Sequence, residues 1–287
     1  MEIQLVGATN GLRAKEDFLN YGRAAARVCY SKHDFDTLLG ENDEKDLVGM
    51  TLKSGHHSPY DHSCLSLYIK DLPKFGAMLL NDERPYTSSE KSARYTQMKL
   101  SAEQKELYDK WMDIFQGVIA EAYPQLDEIK VKKLAQENAR YMTSVFTPTR
   151  ILHTLSFRDL NHIMHHFYKF LENAPDTPFN VLVKRFMREF NSSEVLQQLY
   201  VPQLDPETKK RHLRLFAQRQ HFATEFGENY SVNYQISFAC LAQSHRHRTL
   251  NYEMQPIPAD LSKAGLIFCA GNTFCRSLFG KSGGMGK

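Results

Sequence analysis

The middle third of the chain carries the clearest periodic pattern of apolar and polar residues. Apolar residues recur every three to four positions over residues 107–122, and Pro124 follows as a helix terminator. The same spacing continues beyond it and predicts four more helices, at residues 130–141, 158–171, 181–190 and 194–200. The pattern therefore predicts a helical middle segment.

The chain before this segment mixes strand-like alternation with helical spacing. Its predicted elements are a strand at 2–6, a helix at 18–30, a loop at 32–46 that runs into a helix at 43–51, a turn at 55–59 and a strand at 64–69. This mixture predicts an α/β fold of the α+β type.

Residues from 224 onward repeat the order of turn, strand and helix seen at residues 55–84, with the second strand at 230–236. An internal duplication explains this order most simply. We therefore predict one large domain at 1–215 and a partial second copy at 216–287, which ends in a flexible tail rich in glycine, serine and lysine.

Composition narrows the class of protein. Apolar residues make up 42% of the chain and charged residues 24%, which is typical of a soluble globular protein. The net charge of +3 is too small to indicate a nucleic-acid interface. Neither a signal peptide nor an apolar run of ~20 residues is recognisable, so we expect no membrane insertion and a cytoplasmic protein. The five cysteines form no Cys-x-x-Cys pair, and we expect them to be buried thiols.

Two motifs stand close together in the large domain. The first runs Gly55-His56-His57-Ser58-Pro59-Tyr60-Asp61-His62, and the second runs Glu90-Lys91-Ser92-Ala93-Arg94-Tyr95. They resemble the Gly-His-x-Ser/Thr-Pro-x-Glu-His segment and the second half of the signature Arg-His-Arg-x-x-Ser-x-Asn-Glu-x-Ser-x-Arg-Tyr of the flavin-dependent thymidylate synthases. Asp82-Glu83-Arg84 stand where that signature begins, so only Arg84 keeps its first half.

Later segments extend the resemblance. Glu137-Asn138-Ala139-Arg140 and Ser156-Phe157-Arg158-Asp159-Leu160 resemble two further family segments, whereas a later helix arginine of the family falls on Phe167. Gln243-Ser244-His245-Arg246-His247-Arg248 is similar to the family's Gln-x-x-Arg-His-Arg. An alternative for this last segment is that its cations only offset the negative end of a helix dipole.

The resemblance implies a fold with a mixed, mainly antiparallel sheet and a homo-oligomeric assembly. It also implies transfer of a one-carbon unit from methylenetetrahydrofolate to deoxyuridine monophosphate (dUMP), with FAD as cofactor and NADPH as reductant. Arg94 and Arg140 would be the catalytic residues. The implied nucleotide contacts are Glu90, Ser92, Arg94, Arg140, Gln243 and Arg246. The implied FAD contacts are His56, Ser58, Asp61, Arg84, Arg158, Arg246, His247 and Arg248.

Two other functions remain open from the sequence. A degenerate homologue would bind nucleotide or flavin without turnover, as the acidic Asp82 and Glu83 at anion-contact positions suggest. A related enzyme would modify another pyrimidine nucleotide. A metal site is a third kind of alternative, because His162 and His166 share one helical face, but the Glu of a His-Glu-x-x-His motif is absent. We therefore predict no metal.

Overall fold

The computed structural model describes residues 1–41, 45–83, 85–204 and 240–241. The chain divides into two compact units. The first consists of Met1–Glu90, Thr149–Asp176 and Asn180–Leu215, and the second of Lys91–Pro148, Thr177–Phe179 and Phe216–Lys287. Helices and an antiparallel sheet confirm the predicted α+β fold.

Four strands form one sheet in the order β1-β2-β4-β3. The strands are β1 (Glu2–Ala8), β2 (Cys64–Pro73), β3 (Thr87–Glu90) and β4 (Pro148–Ser156). β1 pairs antiparallel with β2, with a register shift between Leu5 and Gly7, and β3 pairs antiparallel with β4. Two of these strands were predicted from the sequence. β3 and β4 were not, because β3 is wholly polar and β4 opens with a proline and an arginine.

Nine α-helices lie within the described residues. They are α1 (Lys15–Arg27), α2 (Phe35–Gly40), α3 (Leu47–Ser54), α4 (Lys74–Asp82), α5 (Ala102–Ala122), α6 (Glu128–Ala139), α7 (Phe157–Asn173), α8 (Pro178–Asn191) and α9 (Glu194–Leu199). The predicted helices are confirmed with shifts of a few residues at their ends. The loop prediction was wrong for α2, which begins at the side-chain cap that Asp34 offers to the Thr37 amide.

Aromatic side chains hold the core of the first unit together. Phe167 in α7 packs edge-to-face against Phe186 and Phe190 of α8, with ring centroids 5.4 and 5.3 Å apart. Phe18 in α1 stacks on Phe157 at the start of α7, at 4.7 Å. Phe167 is therefore a core residue, in keeping with its apolar character and not with an anion contact.

The second unit contains a helical hairpin. Ser101 caps α5 and Asp127 caps α6, each by accepting a hydrogen bond from a first-turn amide. The two helices enclose an apolar core made of Phe115, Ile119, Val131, Ala135, Ala139 and Met142. The packing of this hairpin holds α6 in place, and Arg140 directly follows α6.

The structure bears on two further predictions from the sequence, the burial of the cysteines and the absence of a membrane-spanning helix. The cysteines were expected to be buried, but Cys29, Cys64 and Cys240 are exposed, because the first two lie just beyond a helix end and at the first residue of a strand. Within the described ranges no helix has both the length and the apolar character needed to cross a membrane. The predicted strand at 230–236, and with it the duplication, lies outside the described residues.

Candidate functional site

The first motif forms a tight turn with several exposed polar side chains. α3 ends at Gly55, whose φ of 74° lies in the left-handed region that glycine adopts without strain. A short 3₁₀ helix, Ser58–Asp61, follows with Pro59 in its first turn. His56 and Ser58 are exposed, whereas His57 is buried and bonds through Nε2 to the Leu52 carbonyl oxygen at 2.9 Å. The turn thus presents His56 and Ser58 to solvent.

Tyr60 anchors this turn to the interior. Its ring is fully buried, and its hydroxyl lies 2.8 Å from the Thr51 hydroxyl. The ring lies so close to Gly22 of α1 that a Cβ there would be 2.3 Å from the Tyr60 Cδ1. Burial, as the largest cause, raises the pKa of the Tyr60 phenol above its ordinary value. The turn therefore rests on a rigid aromatic support.

Asp61 and Arg158, both expected at the FAD site, are in direct contact. Arg158 Nη1 lies 2.7 Å from Asp61 Oδ2, with the Arg158 side chain 8% exposed and Asp61 44% exposed. Ser156, the N-cap of α7, has its hydroxyl 3.2 Å from Asp61 and 3.0 Å from Asp159, and it accepts the Asp159 amide. Partial desolvation first, then the charges of Asp159 and Asp61, raise the pKa of the nearby Cys64 thiol above its ordinary value.

Glu90, expected at the nucleotide, has a partner that the sequence did not reveal. Lys74, the first residue of α4, places its Nζ 2.6 Å from Glu90 Oε1. The Glu90 side chain is 3% exposed and that of Lys74 is 24% exposed. Because no motif includes Lys74, and the two residues join through the sheet, the sequence offered no signal for this pair. The carboxylate of Glu90 therefore has a cationic partner within the chain.

Asp82 and Glu83, considered as acids at an anion contact, are buried instead. Glu83 Oε2 lies 3.8 Å from His162 Nε2, and the His162 and His166 rings are 4.4 Å apart. These two histidines, weighed above as metal ligands, therefore face an acid in the protein interior. In the part of the chain that the structure describes, no group of three or more His, Cys, Asp or Glu could hold a metal ion.

Ser92 and Arg94 of the second motif lie in the second unit, beside a carboxylate. Ser92 opens a turn in which its hydroxyl accepts the Arg94 amide at 3.3 Å and its carbonyl accepts the Thr96 amide at 3.1 Å. Arg94 Nη2 then lies 2.7 Å from Glu137 Oε2 of α6. The hydrogen bond from Arg94 to Glu137, followed by the Glu137 charge, raises the pKa of Arg94. Arg94 is therefore a permanent cation.

Arg140 meets the same residue from the other side. Its Nε donates to the Glu137 carbonyl oxygen at 2.9 Å, and its guanidinium lies 5.2 Å from the centroid of the Tyr141 ring. Both predicted catalytic arginines thus contact Glu137: Arg94 reaches its carboxylate from 43 positions away, and Arg140 reaches its backbone carbonyl from three positions away. Glu137 was not assigned a role from the sequence, although its i, i+3 spacing to Arg140 on one helix was a usable signal.

Five predicted site residues lie outside the described residues. They are Arg84, Gln243, Arg246, His247 and Arg248.

Comparison with known proteins points to one family. The model of the family described as thymidylate synthase complementing protein matches residues 15–170. Two similar solved structures are a UMP/dUMP methylase from Streptomyces cacaoi bound with 5-Br dUMP and a flavin-dependent thymidylate synthase from Helicobacter pylori complexed with FAD and dUMP. The first is 19% identical over 71% of this chain and 97% of its own, and the second 15% identical over 71% and 100%. Both have a TM-score of 0.40. No curated protein matches the chain in sequence.

Proposed function

Because the chain belongs to the family of thymidylate synthase complementing proteins, we propose that it is a flavin-dependent enzyme acting on dUMP. In the proposed reaction a methylene group passes from methylenetetrahydrofolate to dUMP and is reduced to the methyl group of dTMP. NADPH is the proposed reductant of the flavin. The matched residues, 15–170, include the turn at His56, the Glu90-x-Ser92-x-Arg94 motif and Arg140.

The contacts of Arg94 and Arg140 with Glu137 are the observation that carries this proposal. A guanidinium suits a phosphate, because it offers planar N–H donors to the phosphate oxygens. The Arg94 Nε is a buried N–H with no hydrogen-bond partner among the described residues. A buried donor without an acceptor destabilises the protein and suits a site that a ligand oxygen completes. The nucleotide phosphate is the proposed source of that oxygen.

The residues of the first unit suit a flavin nucleotide. His56 and Ser58 are exposed donors on a turn whose other side chains anchor it, and Arg158 adds a fixed guanidinium. These residues would hold FAD through its phosphate and ribose groups, with Asp61 fixing the orientation of Arg158. When bound, FAD supplies the hydride of the reaction. The chain's own task is to hold and orient the ligands and to keep water away.

A non-catalytic, ligand-binding homologue is the second candidate. The burial of Asp82 and Glu83 favours it, because the first half of the family signature then has no cations in these two positions. Arg246 and Arg248 of the segment at 216–287 would replace the missing cations, either within one chain or from a neighbouring chain of a cytoplasmic homo-oligomer. Changing both to Ala should then abolish flavin binding while circular dichroism stays unchanged.

Replacing Arg94 tests the nucleotide site. We expect Arg94→Ala to weaken dUMP binding by about 2 kcal/mol, because a charge-assisted hydrogen bond to the phosphate is lost. Arg94→Lys should restore only part of the affinity, since an ammonium lacks the planar fork. Calorimetry on both variants gives the answer, and equal dUMP affinity in the Ala variant would remove Arg94 from the site.

Turnover separates the two candidate functions. The purified chain is mixed with FAD, NADPH, methylenetetrahydrofolate and dUMP, and dTMP is measured by chromatography. Formation of dTMP supports the enzyme. A chain that takes up FAD and dUMP, seen in its visible spectrum and by calorimetry, but forms no product is the binding homologue. A chain that takes up neither ligand contradicts both.

A further inference from the structure

A carboxylate of the chain occupies the place where a phosphate is proposed to bind. Glu137 Oε2 lies 2.7 Å from Arg94 Nη2, and the Glu137 backbone carbonyl accepts the Arg140 Nε at 2.9 Å. The Arg94 and Glu137 side chains are 38% and 27% exposed. An ion pair as exposed as this one is weak and exchanges readily with an anion from solvent.

The pairing uses the Arg94 fork incompletely. One nitrogen, Nη2, reaches the Glu137 carboxylate, while the buried Nε has no acceptor in the described part of the chain. A bidentate ligand places two oxygens on two parallel N–H groups, which a single carboxylate oxygen does not do. A phosphate monoester carries three terminal oxygens and can satisfy both nitrogens at once.

The local charge favours exchange for a dianion. Two guanidiniums and one carboxylate leave a single net positive charge at Arg94, Arg140 and Glu137. While the carboxylate stays in contact, it repels an incoming phosphate dianion. If the carboxylate moves away, this repulsion ends and the Arg94 cation faces the dianion.

We propose that Glu137 is an internal stand-in for the phosphate group: it holds Arg94 in the ligand-free protein, and a phosphate monoester dianion displaces it. This inference deepens the proposed function, on which it rests for the identity of the natural ligand. The stand-in keeps the arginine from adopting other contacts, and it disfavours ligands that lack the charge or the oxygens to displace it. Glu137 is thereby a positioning and specificity residue of the site.

Phosphate binding to the whole chain tests the proposal without any nucleotide. Inorganic phosphate is titrated calorimetrically into the unaltered protein, Glu137→Gln and Asp109→Asn. Asp109 pairs with Lys105 on the exposed face of α5 in the same unit, so its variant makes the same change of charge elsewhere. We expect Glu137→Gln to bind phosphate about tenfold more tightly, because its own competitor is gone, while Asp109→Asn changes affinity less than about twofold.

A double-mutant cycle tests whether Glu137→Gln changes phosphate affinity through Arg94. In the background of Arg94→Ala, the gain from Glu137→Gln should vanish, because there is no guanidinium left to release. Circular dichroism on the same samples checks that each variant is folded, and Glu137→Asp, which keeps the charge, should keep the weaker phosphate affinity. Equal or weaker phosphate binding by folded Glu137→Gln, or a gain that persists without Arg94, overturns the proposal.

The phosphate titrations distinguish failure of the Glu137 proposal from failure of the proposed function. If Glu137→Gln gains affinity for phosphate but no form of the protein binds dUMP, the stand-in is supported and the proposed substrate is wrong. If dUMP binds and turns over but Glu137→Gln gains nothing, the enzyme is supported and the stand-in is wrong.

Discussion

The two units differ in how deeply their charged side chains and imidazoles are buried. Among the described residues, every buried side chain that carries charge or an imidazole belongs to the first unit. These side chains are Arg23, His57, Asp82, Glu83, His153, Arg158, Asp159, His162, His166 and Lys184. The core of the α5–α6 hairpin is apolar, and Arg94 and Arg140 of the second unit stay partly exposed.

Two arginine–carboxylate pairs make the difference concrete. Arg158 with Asp61 and Arg94 with Glu137 have the same 2.7 Å separation, yet the Arg158 side chain is 8% exposed and that of Arg94 is 38% exposed. A buried cation needs its partner, since water cannot replace it. A half-exposed cation can change partners. The same contact is therefore fixed in the first unit, whereas in the second unit it is exposed enough to exchange, as the proposal for Glu137 requires.

The largest effect is expected where the first unit is most tightly packed. Gly22→Ala would place a methyl group 2.3 Å from the Tyr60 ring and displace the turn that carries Asp61. We expect the free energy of unfolding to fall by about 3 kcal/mol, the upper range for overpacking. Denaturant unfolding measures it, with Gly40→Ala as control, because nothing lies within 4 Å of a Cβ there. Equal stability of the two variants would show that the turn tolerates movement.

The next effect comes from His153 and depends on pH. Burial lowers the pKa of His153 to about 4, and neither ring nitrogen has a hydrogen-bond partner within the described residues. Between its unfolded pKa of about 6.5 and 4, the unfolded chain binds a proton that the folded protein does not. Stability therefore falls as pH decreases through this window, by about 3 kcal/mol for this group.

Unfolding of the unaltered protein and of His153→Phe between pH 7 and pH 4 isolates this contribution. Phe keeps the stacking on Tyr86, whose ring lies 5.3 Å from that of His153, and removes both nitrogens. The variant should lose the corresponding part of the pH dependence. Parallel pH curves for the two proteins would show that other groups cause the loss of stability.

The smallest effect compares the two ion pairs directly. Asp61→Asn removes the carboxylate charge that lies 2.7 Å from Nη1 of the buried Arg158, and we expect the free energy of unfolding to fall by about 2 kcal/mol. Glu137→Gln, the matched change at the exposed pair, should cost less than about 1 kcal/mol. Denaturant unfolding of both variants under one condition gives the comparison. Similar losses in both would mean that burial does not distinguish the two pairs.

The sequence predicted the elements that are determined by residues close together in the chain. The helices of the middle segment follow from their apolar spacing, and the start of α7 follows from the Ser156 cap. β3 and β4 depend on pairing between residues far apart, such as Ser88 with His153, and β3 contains no apolar residue. The short α2 is too brief for periodicity to reveal it.

The candidate site residues show the same contrast between local sequence signals and tertiary contacts. The motifs located Asp61, Arg158, Glu90, Arg94 and Arg140 along the chain, but they could not supply the partners of these residues. Lys74, the first residue of α4, contacts Glu90, the last residue of β3, only in the folded protein. Asp82 and Glu83 were expected beside an anion, and their burial depends on the packing of α4. Sequence motifs point to these side chains, and the tertiary structure determines which charged partner each of them contacts.

The contact between Asp61 and Arg158 also bears on the order of folding. These residues are 97 positions apart, whereas 43 positions separate Arg94 from Glu137. Closing the longer loop orders more chain before any contact forms, so such contacts tend to form late. We therefore expect Asp61→Asn to speed unfolding and leave the refolding rate nearly unchanged, a pattern that stopped-flow kinetics would reveal. On that view the residues proposed to hold FAD reach their native contacts late in the folding of the first unit.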